Sequence, residues 1–396
     1  MNAQANPHVR LILIPGRQKS LLNRHPWIFS GAVDKIEGRP AGGDIVPVYD
    51  ARGNFRGRGF YNPASQIRLR MITFDESELT GDFWRRRLSA AAEFRQKLLG
   101  TRTNAFRMIN GEADGLPGLI VDNYNSHYVI QVHSLGMERI VGQIVEHLAE
   151  LFQPEAIYER SDSSARREEG LDPRHKWWLG SEGQSEVAIS EDGLEYRVNL
   201  PQGQKTGFFL DQRENRRLIA GISADKSLLN CFSYTGGFSL AAAKAGAATV
   251  SVEISKEAQQ TAREHFRLNG LDPEGHEFID ANVFDYLRTE TGPFDVVVLD
   301  PPAFVKTRKH LNQGTRAYKD INRLALRKTA RNGFLLSCSC SHYVNWDLFQ
   351  KILFAAAVEA GREVQIVGRY GPSFDHPVNL FFPEGEYLKT FLLRVY

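Results

Sequence analysis

The spacing of apolar and polar positions changes character twice along the chain. Residues 1–75 hold short apolar or alternating runs at 11–14, 44–49, 56–61 and 67–72, separated by turn-rich stretches at 38–43 and 51–54. Such runs predict the short strands of a small β-barrel. From 76 to 195 the pattern is mixed. Residues 83–99 and 138–152 repeat at helical spacing, and the turn cluster 111–118 leads into a strand at 119–121. The charged stretch 161–183, with Pro173 and several glycines, reads as a connection.

Beyond residue 196, strand and helix alternate. Apolar runs at 228–232, 249–253, 277–279, 294–299, 334–338 and 390–395 predict strands, and 238–245, 256–269, 324–330 and 346–360 predict helices. Near-continuous apolar strands alternating with helices imply a doubly wound, mostly parallel sheet covered on both faces. The expected fold class is therefore α/β. A small β-barrel (1–75) and an α+β middle domain (76–195) precede a Rossmann-like domain (196–396).

Composition narrows the function classes. Hydrophobic residues make up 42% and charged ones 24%, enough to build cores and too ordered in pattern for a disordered chain. Three cysteines without a CxxC or Cys/His cluster exclude a disulfide scaffold and suggest no metal site. No apolar run reaches 18 residues, and the first ten residues lack the apolar core of a signal peptide, so a soluble, cytoplasmic protein without membrane contact is expected. Net charge is only +2, but residues 1–75 carry 11 Lys and Arg against 5 Asp and Glu. That local excess suggests a grip on a polyanion, with Arg17, Lys19 and Arg24 as candidate phosphate contacts.

In a doubly wound sheet, ligands bind at the carboxyl ends of the strands. After the first strand lies Phe232-Ser233-Tyr234-Thr235-Gly236, a loop whose glycines let backbone approach a ligand. It is not G-x-G-x-x-G, which argues against a dinucleotide and a dehydrogenase. After the second strand stands Glu253, placed to accept from ribose hydroxyls, and after the third stand Asp280 and Asn282, either of which can accept from an adenine amine. Glycine loop, acid and third-strand polar group together suit a nucleoside without a pyrophosphate, such as S-adenosylmethionine. The fourth strand ends in Asp300-Pro301-Pro302, a carboxylate fixed beside two rigid residues. The next run contains Cys338 and Cys340, two residues apart and so on one face. A thiol at that lip is either packing or a nucleophile. Gln212, in the stretch 204–213, can bond the cofactor, while Phe208, Phe209 and Leu210 can equally form an apolar lid. The segment 305–320 reads as a basic loop in which Lys306, Arg316, Tyr318 and Lys319 suit a base drawn out of an RNA stack.

The motifs K-T-G-F-F-L-D-Q-R, N-C-F-S-Y-T-G-G-F, L-D-P-P-A-F, Y-K-D-I-N and S-C-S occur in this order. They resemble the bacterial 23S rRNA cytosine-5 methyltransferases of the RlmI type. G-R-Q-K-S-L-L-N-R-H-P-W-I-F-S-G resembles the RNA-binding PUA domain of that family, and G-E-A-D-G-L-P-G-L-I-V-D its middle domain. The resemblance implies a class I methyltransferase sheet, S-adenosylmethionine as methyl donor and 23S rRNA as partner, with a homodimer left open. It places cofactor contacts at Gln212, the 232–236 loop, Glu253 and the third-strand end near Asn282, with Asp300 at the fourth-strand end completing the set. It makes Cys340 the nucleophile and Asp300 the group holding the N3/N4 edge of cytosine.

Two departures stand out. Ala303 occupies the position where many RNA cytosine-5 methyltransferases carry a second cysteine, and Asn282 that of a frequent acid. Two rival functions remain. One is N-methylation of an rRNA base, to which Asp-Pro-Pro followed by an aromatic is also suited, with Cys340 as packing. The other is a non-catalytic RNA-binding or ribosome-assembly factor.

Overall fold

A computed structural model describes residues 9–289 and 292–396; most of the N-terminal stretch read above for a signal peptide lies outside them. The chain divides into two compact units. Among the described residues, one comprises 9–190, 198–210 and 374–385, and the other 191–197, 211–289, 292–373 and 386–396.

The first unit holds two sheets. Six strands between Arg10 and Thr73 form a mixed sheet over a core that includes Leu11, Leu13, Val46, Val48, Leu69 and Met71. Five strands between Ala105 and Leu179 form the second, covered by the helices Gly81–Leu99 and Leu135–Phe152. A buried polar cluster joins the two layers. Glu169 accepts from Asn62 and Ser65 (both 3.0 Å) and Arg70 (3.1 Å), while Arg70 also reaches Glu112 at 2.7 Å. The 161–183 stretch is more than a connection, because Ser164–Glu168 is helical and Arg174–Leu179 is an edge strand. Its charged residues masked it: an edge strand leaves one side in water, so alternation there does not need to be apolar.

The second unit is built on one seven-stranded sheet. Its elements, in chain order, are α1 (Arg213–Ile222), β1 (Ser227–Cys231), α2 (Gly237–Lys244), β2 (Ala248–Glu253), α3 (Lys256–Leu268), β3 (Glu277–Asp280), α4 (Val283–Tyr286), β4 (Phe294–Leu299), α5 (Leu311–Lys328), β5 (Thr329–Ser339), α6 (Trp346–Ala360), β6 (Val364–Tyr370) and β7 (Lys389–Val395). The strand order is 3-2-1-4-5-7-6; strands 1 to 5 run parallel, and β7 is antiparallel to both neighbours. The order reverses between β1 and β4, which places the switch point, and hence the expected ligand crevice, at their carboxyl ends. Both faces are covered: Leu229, Val297 and Leu335 enter one apolar cluster, Leu228, Val296 and Leu336 the other.

The basic segment expected as a loop is largely helix, since α5 begins at Leu311. Gly314 disguised it, because glycine disfavours a helix interior. Here it is required: an added Cβ would lie 2.3 Å from Val305 and 2.8 Å from the Phe304 carbonyl oxygen.

Candidate functional site

The loop after β1 is conformationally strained. Phe232 and Tyr234 have φ of 59° and 47°, and Gly236 has 77°. Left-handed backbone at a non-glycine residue costs on the order of 1–3 kcal/mol and persists only where neighbours hold it. Three bonds do so: the Ser233 amide donates to the Val252 carbonyl (3.1 Å), the Gly236 amide to Ser233 (2.9 Å) and the Tyr234 amide to Glu253 Oε2 (3.0 Å). Glu253 Oε1 accepts from the amides of Ile254 (2.9 Å) and Ser255 (3.1 Å). One carboxylate at the end of β2 thus pins the loop after β1. A carboxylate has about four acceptor positions, so this one keeps a position on Oε2 for a hydroxyl.

Around this loop, Ser233 Oγ and Asn230 Oδ1 are buried with no hydrogen-bond partner among the described residues. Beside it Ile254 is 69% exposed. Ile254 was not anticipated; an isoleucine directly after the ribose-type acid was the available signal. At the third strand end, Asn282 Oδ1 accepts from the Phe284 amide (2.9 Å) and caps α4. Asp280 stands exposed at the last position of β3.

Asp300 follows β4 directly. Gln212 Nε2 donates to its Oδ2 at 2.9 Å, and Gln212 Oε1 accepts from Asn215 Nδ2 at 2.6 Å. Asn215 also reaches Thr390 Oγ1 at 3.3 Å. The chain Thr390–Asn215–Gln212 orients the carboxylate, so the contact that the structure gives Gln212 is with Asp300. Asn215 and Thr390 escaped the sequence reading because α1 and β7 meet only in the folded sheet.

Cys340 lies one residue past the end of β5 and is half-buried, its Sγ 3.8 Å from the Pro301 carbonyl oxygen. The thiol therefore sits against the residue that follows Asp300. Cys338, two residues earlier, is fully buried and accepts from Thr390 Oγ1 at 3.4 Å. Burial pushes its thiol and that of Cys231 well above the ordinary range, so neither forms a thiolate near neutrality. Ser341 clamps the other flank of Cys340. Its Oγ accepts from the Val305 amide (3.1 Å) and bonds the Tyr318 hydroxyl (2.9 Å).

That bond corrects the expectation for Tyr318. The ring is fully buried against Phe304 and Phe349, with its hydroxyl spent on Ser341, so it supports the cysteine turn and cannot stack on a base. Helical periodicity of α5 explains this, since Tyr318 shares its inner face with Ile321 and Ala325. Lys306 and Arg316 are exposed, while Lys319 is partly buried and ion-paired with Glu359. In the first unit, Arg17, Lys19 and Arg24 are exposed around the short helix Lys19–Leu22.

Comparison with known proteins places the chain in a family. A model of S-adenosylmethionine-dependent methyltransferases matches residues 170–373, and a PUA-like domain model matches residues 11–74. The chain is 43% identical over 392 residues to the ribosomal RNA large subunit methyltransferase I of Klebsiella pneumoniae (strain 342), covering 98% of both. It is 44% identical over 395 residues to that of Shewanella denitrificans, covering 98% of this chain and 100% of the other. The chain belongs to the ribosomal RNA large subunit methyltransferase I family. The fold agrees: the solved structure of SMU.776, assigned as a methyltransferase and complexed with SAH, superposes with a TM-score of 0.84 at 24% identity, over 98% of this chain and 100% of that one.

The cofactor of this family member is S-adenosylmethionine. The residues present fit it. An orphaned Ser233 hydroxyl, a carboxylate with a remaining acceptor position and an exposed Ile254 are what an adenosine with an amino-acid tail needs: a polar cradle, a ribose acceptor and an apolar cover. Among the described residues, no helix is long and apolar enough to cross a membrane.

A first test follows from Glu253. Glu253→Gln is expected to raise the S-adenosylmethionine Kd by about 10- to 100-fold, because a charged acceptor is lost and the Tyr234 loop is loosened. Isothermal calorimetry measures this; an unchanged Kd would remove Glu253 from the cofactor set.

Proposed function

We propose that this protein methylates C5 of a cytosine in 23S rRNA, with Cys340 as nucleophile and Asp300 at the polar edge of the base. The observation carrying the reading is the pairing of Cys340 Sγ with the Pro301 carbonyl at 3.8 Å, directly beyond the oriented Asp300. Support for an rRNA substrate comes from the names of the relatives, ribosomal RNA large subunit methyltransferases at 43% and 44% identity.

The chemistry follows from what each group can do. C5 of cytosine is a poor nucleophile until a nucleophile adds at C6. The Cys340 thiolate forms the S–C6 bond, and the electron pair of the C5–C6 double bond moves into the ring toward N3. Asp300, in its acid form, holds the N3/N4 edge and passes its proton to N3 as the electron pair arrives, so no net charge builds up on the ring; the proton returns to Asp300 when the ring is restored. C5 is then enamine-like. When bound, S-adenosylmethionine supplies the electrophilic methyl that such a carbon takes up. Loss of the C5 proton to a base, with expulsion of Cys340, restores the aromatic ring. Gln212 and Asn215 hold Asp300, the 232–236 loop, Glu253 and the β3 end (Asp280 or Asn282) hold the cofactor, and the turn bolted by Ser341 holds the thiol.

Incubation with labelled S-adenosylmethionine and undermethylated 23S rRNA, followed by nucleoside mass spectrometry, tests the reading; the expected product is 5-methylcytidine. An N-methylated base would replace it with the rival chemistry, in which Cys340 is packing.

The PUA-like module, in this reading, contributes phosphate contacts. Neutralising Arg17, Lys19 and Arg24 together is expected to weaken rRNA binding and to lower the slope of log K against log salt by roughly 2 to 3. Binding titrations from low to moderate salt measure it, and an unchanged slope would place the contact elsewhere. The reading also assigns the enzyme to the bacterial cytoplasm, where its substrate is made.

A further inference from the structure

One buried charge beside the candidate nucleophile has no part in the chemistry above. Lys389, the first residue of β7, is only 2% exposed. In the antiparallel register it lies opposite Ser339, the residue before Cys340. Its Nζ donates to the carbonyl of Ser341, the residue after Cys340, at 2.9 Å, and to that of Tyr387 at 2.7 Å. The lysine is therefore fixed to both flanks of the cysteine turn. Burying an ammonium is costly without a compensating anion, and two neutral carbonyls supply only part of that compensation. The ionisable groups acting on it are Cys340, beyond β5, and Glu386, on the segment leading into β7. Asp300, beyond β4, acts on neighbouring Cys338.

We infer that Lys389 is a positioning residue for Cys340, holding it as a thiolate through a buried ammonium–thiolate pair. The inference rests on the reading of Cys340 as nucleophile. Burial brings the Lys389 amine down to about 8, with Cys340 and Glu386 opposing the shift. A free thiol titrates at about 8.5, so proton exchange between the two groups is close to balanced. The Cys340 S–H bond breaks, the neutral Lys389 amine takes the proton, and the sulfur keeps the electron pair. The reverse transfer follows when the thiolate is expelled from C6 and the site resets. A lysine suits this task better than a histidine here, because its long stem reaches past the strand end while its head stays tied to backbone.

The test reads the thiol and not the overall reaction. Cys340 alkylation by iodoacetamide is followed by peptide mass spectrometry from about pH 6 to 10 in the full-length protein. Buried Cys231 and Cys338 serve as internal unreactive sites. Wild type is expected to alkylate with a midpoint below about 8.5. Lys389→Met raises that midpoint by about one unit, slowing the reaction roughly tenfold at neutral pH, and Lys389→Arg restores it. A wild-type midpoint at or above about 8.5 overturns the pair even if no variant folds. So does a Lys389→Met variant of native circular dichroism whose midpoint is unmoved. Product analysis of Cys340→Ala separates this inference from the reaction itself. If that variant still makes 5-methylcytidine, the nucleophile reading fails whatever the alkylation profile; if it makes none while the midpoint is ordinary, only the role of Lys389 fails.

Discussion

Cys340→Ala is expected to abolish 5-methylcytidine formation, with turnover reduced on the order of 10⁴-fold or more, as for removal of a nucleophile that the reaction cannot bypass. Nothing else in the described site can substitute. Cys338 and Cys231 are fully buried, and burial holds both thiols protonated. The change removes one half-buried sulfur atom and leaves the Ser341 clamp to Val305 and Tyr318 in place, so folding survives. S-adenosylmethionine affinity is therefore expected to stay at its wild-type value, which separates lost chemistry from lost binding. A variant that keeps even a tenth of wild-type turnover, roughly 1.4 kcal/mol in the barrier, would return Cys340 to the role of packing.

The second large effect is at Asp300. Asp300→Asn preserves the shape of the side chain and an acceptor for Gln212 Nε2, the bond seen at 2.9 Å. It removes the carboxyl proton that N3 of the base takes up as negative charge develops there. Loss of one preorganised group facing developing charge costs on the order of 10²- to 10³-fold in turnover. Steady-state kinetics with rRNA should place the loss in kcat more than in KM, because the interaction strengthens as charge develops. A double variant that loses no more than Cys340→Ala alone would mark the two groups as one unit. A KM effect alone would make Asp300 a binding group only.

How far the sequence announces this molecule depends on which physical signal each part leaves. The strand 294–299 and the helix 346–360 are legible residue for residue, since a fully buried strand is a continuous apolar run and α6 carries a strong N-cap at Asn345. The carboxylate and thiol positions follow from the rule that chemistry gathers at strand ends. What hides is whatever gains its meaning from a distant partner. Arg213 and Arg216 look like a solvated helix face, yet both are buried against Glu191, with bonds of 2.7 to 3.1 Å. Strand β6 was missed because it is the sheet edge and its outward residues, Ile366 and Val367 among them, remain exposed. Tyr318 reads as a ligand-facing aromatic because a glycine and the five Lys and Arg residues between 305 and 320 obscure the helix that turns it inward. Lys389 shows the same limit. In the sequence it is one lysine before an apolar strand, and only the β5–β7 pairing sets it beside Cys340.

The central claim is a covalent bond between Cys340 and C6 of a cytosine. It is tested most directly with 23S rRNA transcribed with 5-fluorocytidine and incubated with S-adenosylmethionine. After methyl transfer, no base can remove fluorine as a cation, so the adduct cannot collapse. The account predicts a protein–RNA species that survives denaturing electrophoresis for wild type and is missing for Cys340→Ala. Methyl transfer to the fluorinated RNA with no such species, or an adduct that persists in the alanine variant, would contradict it.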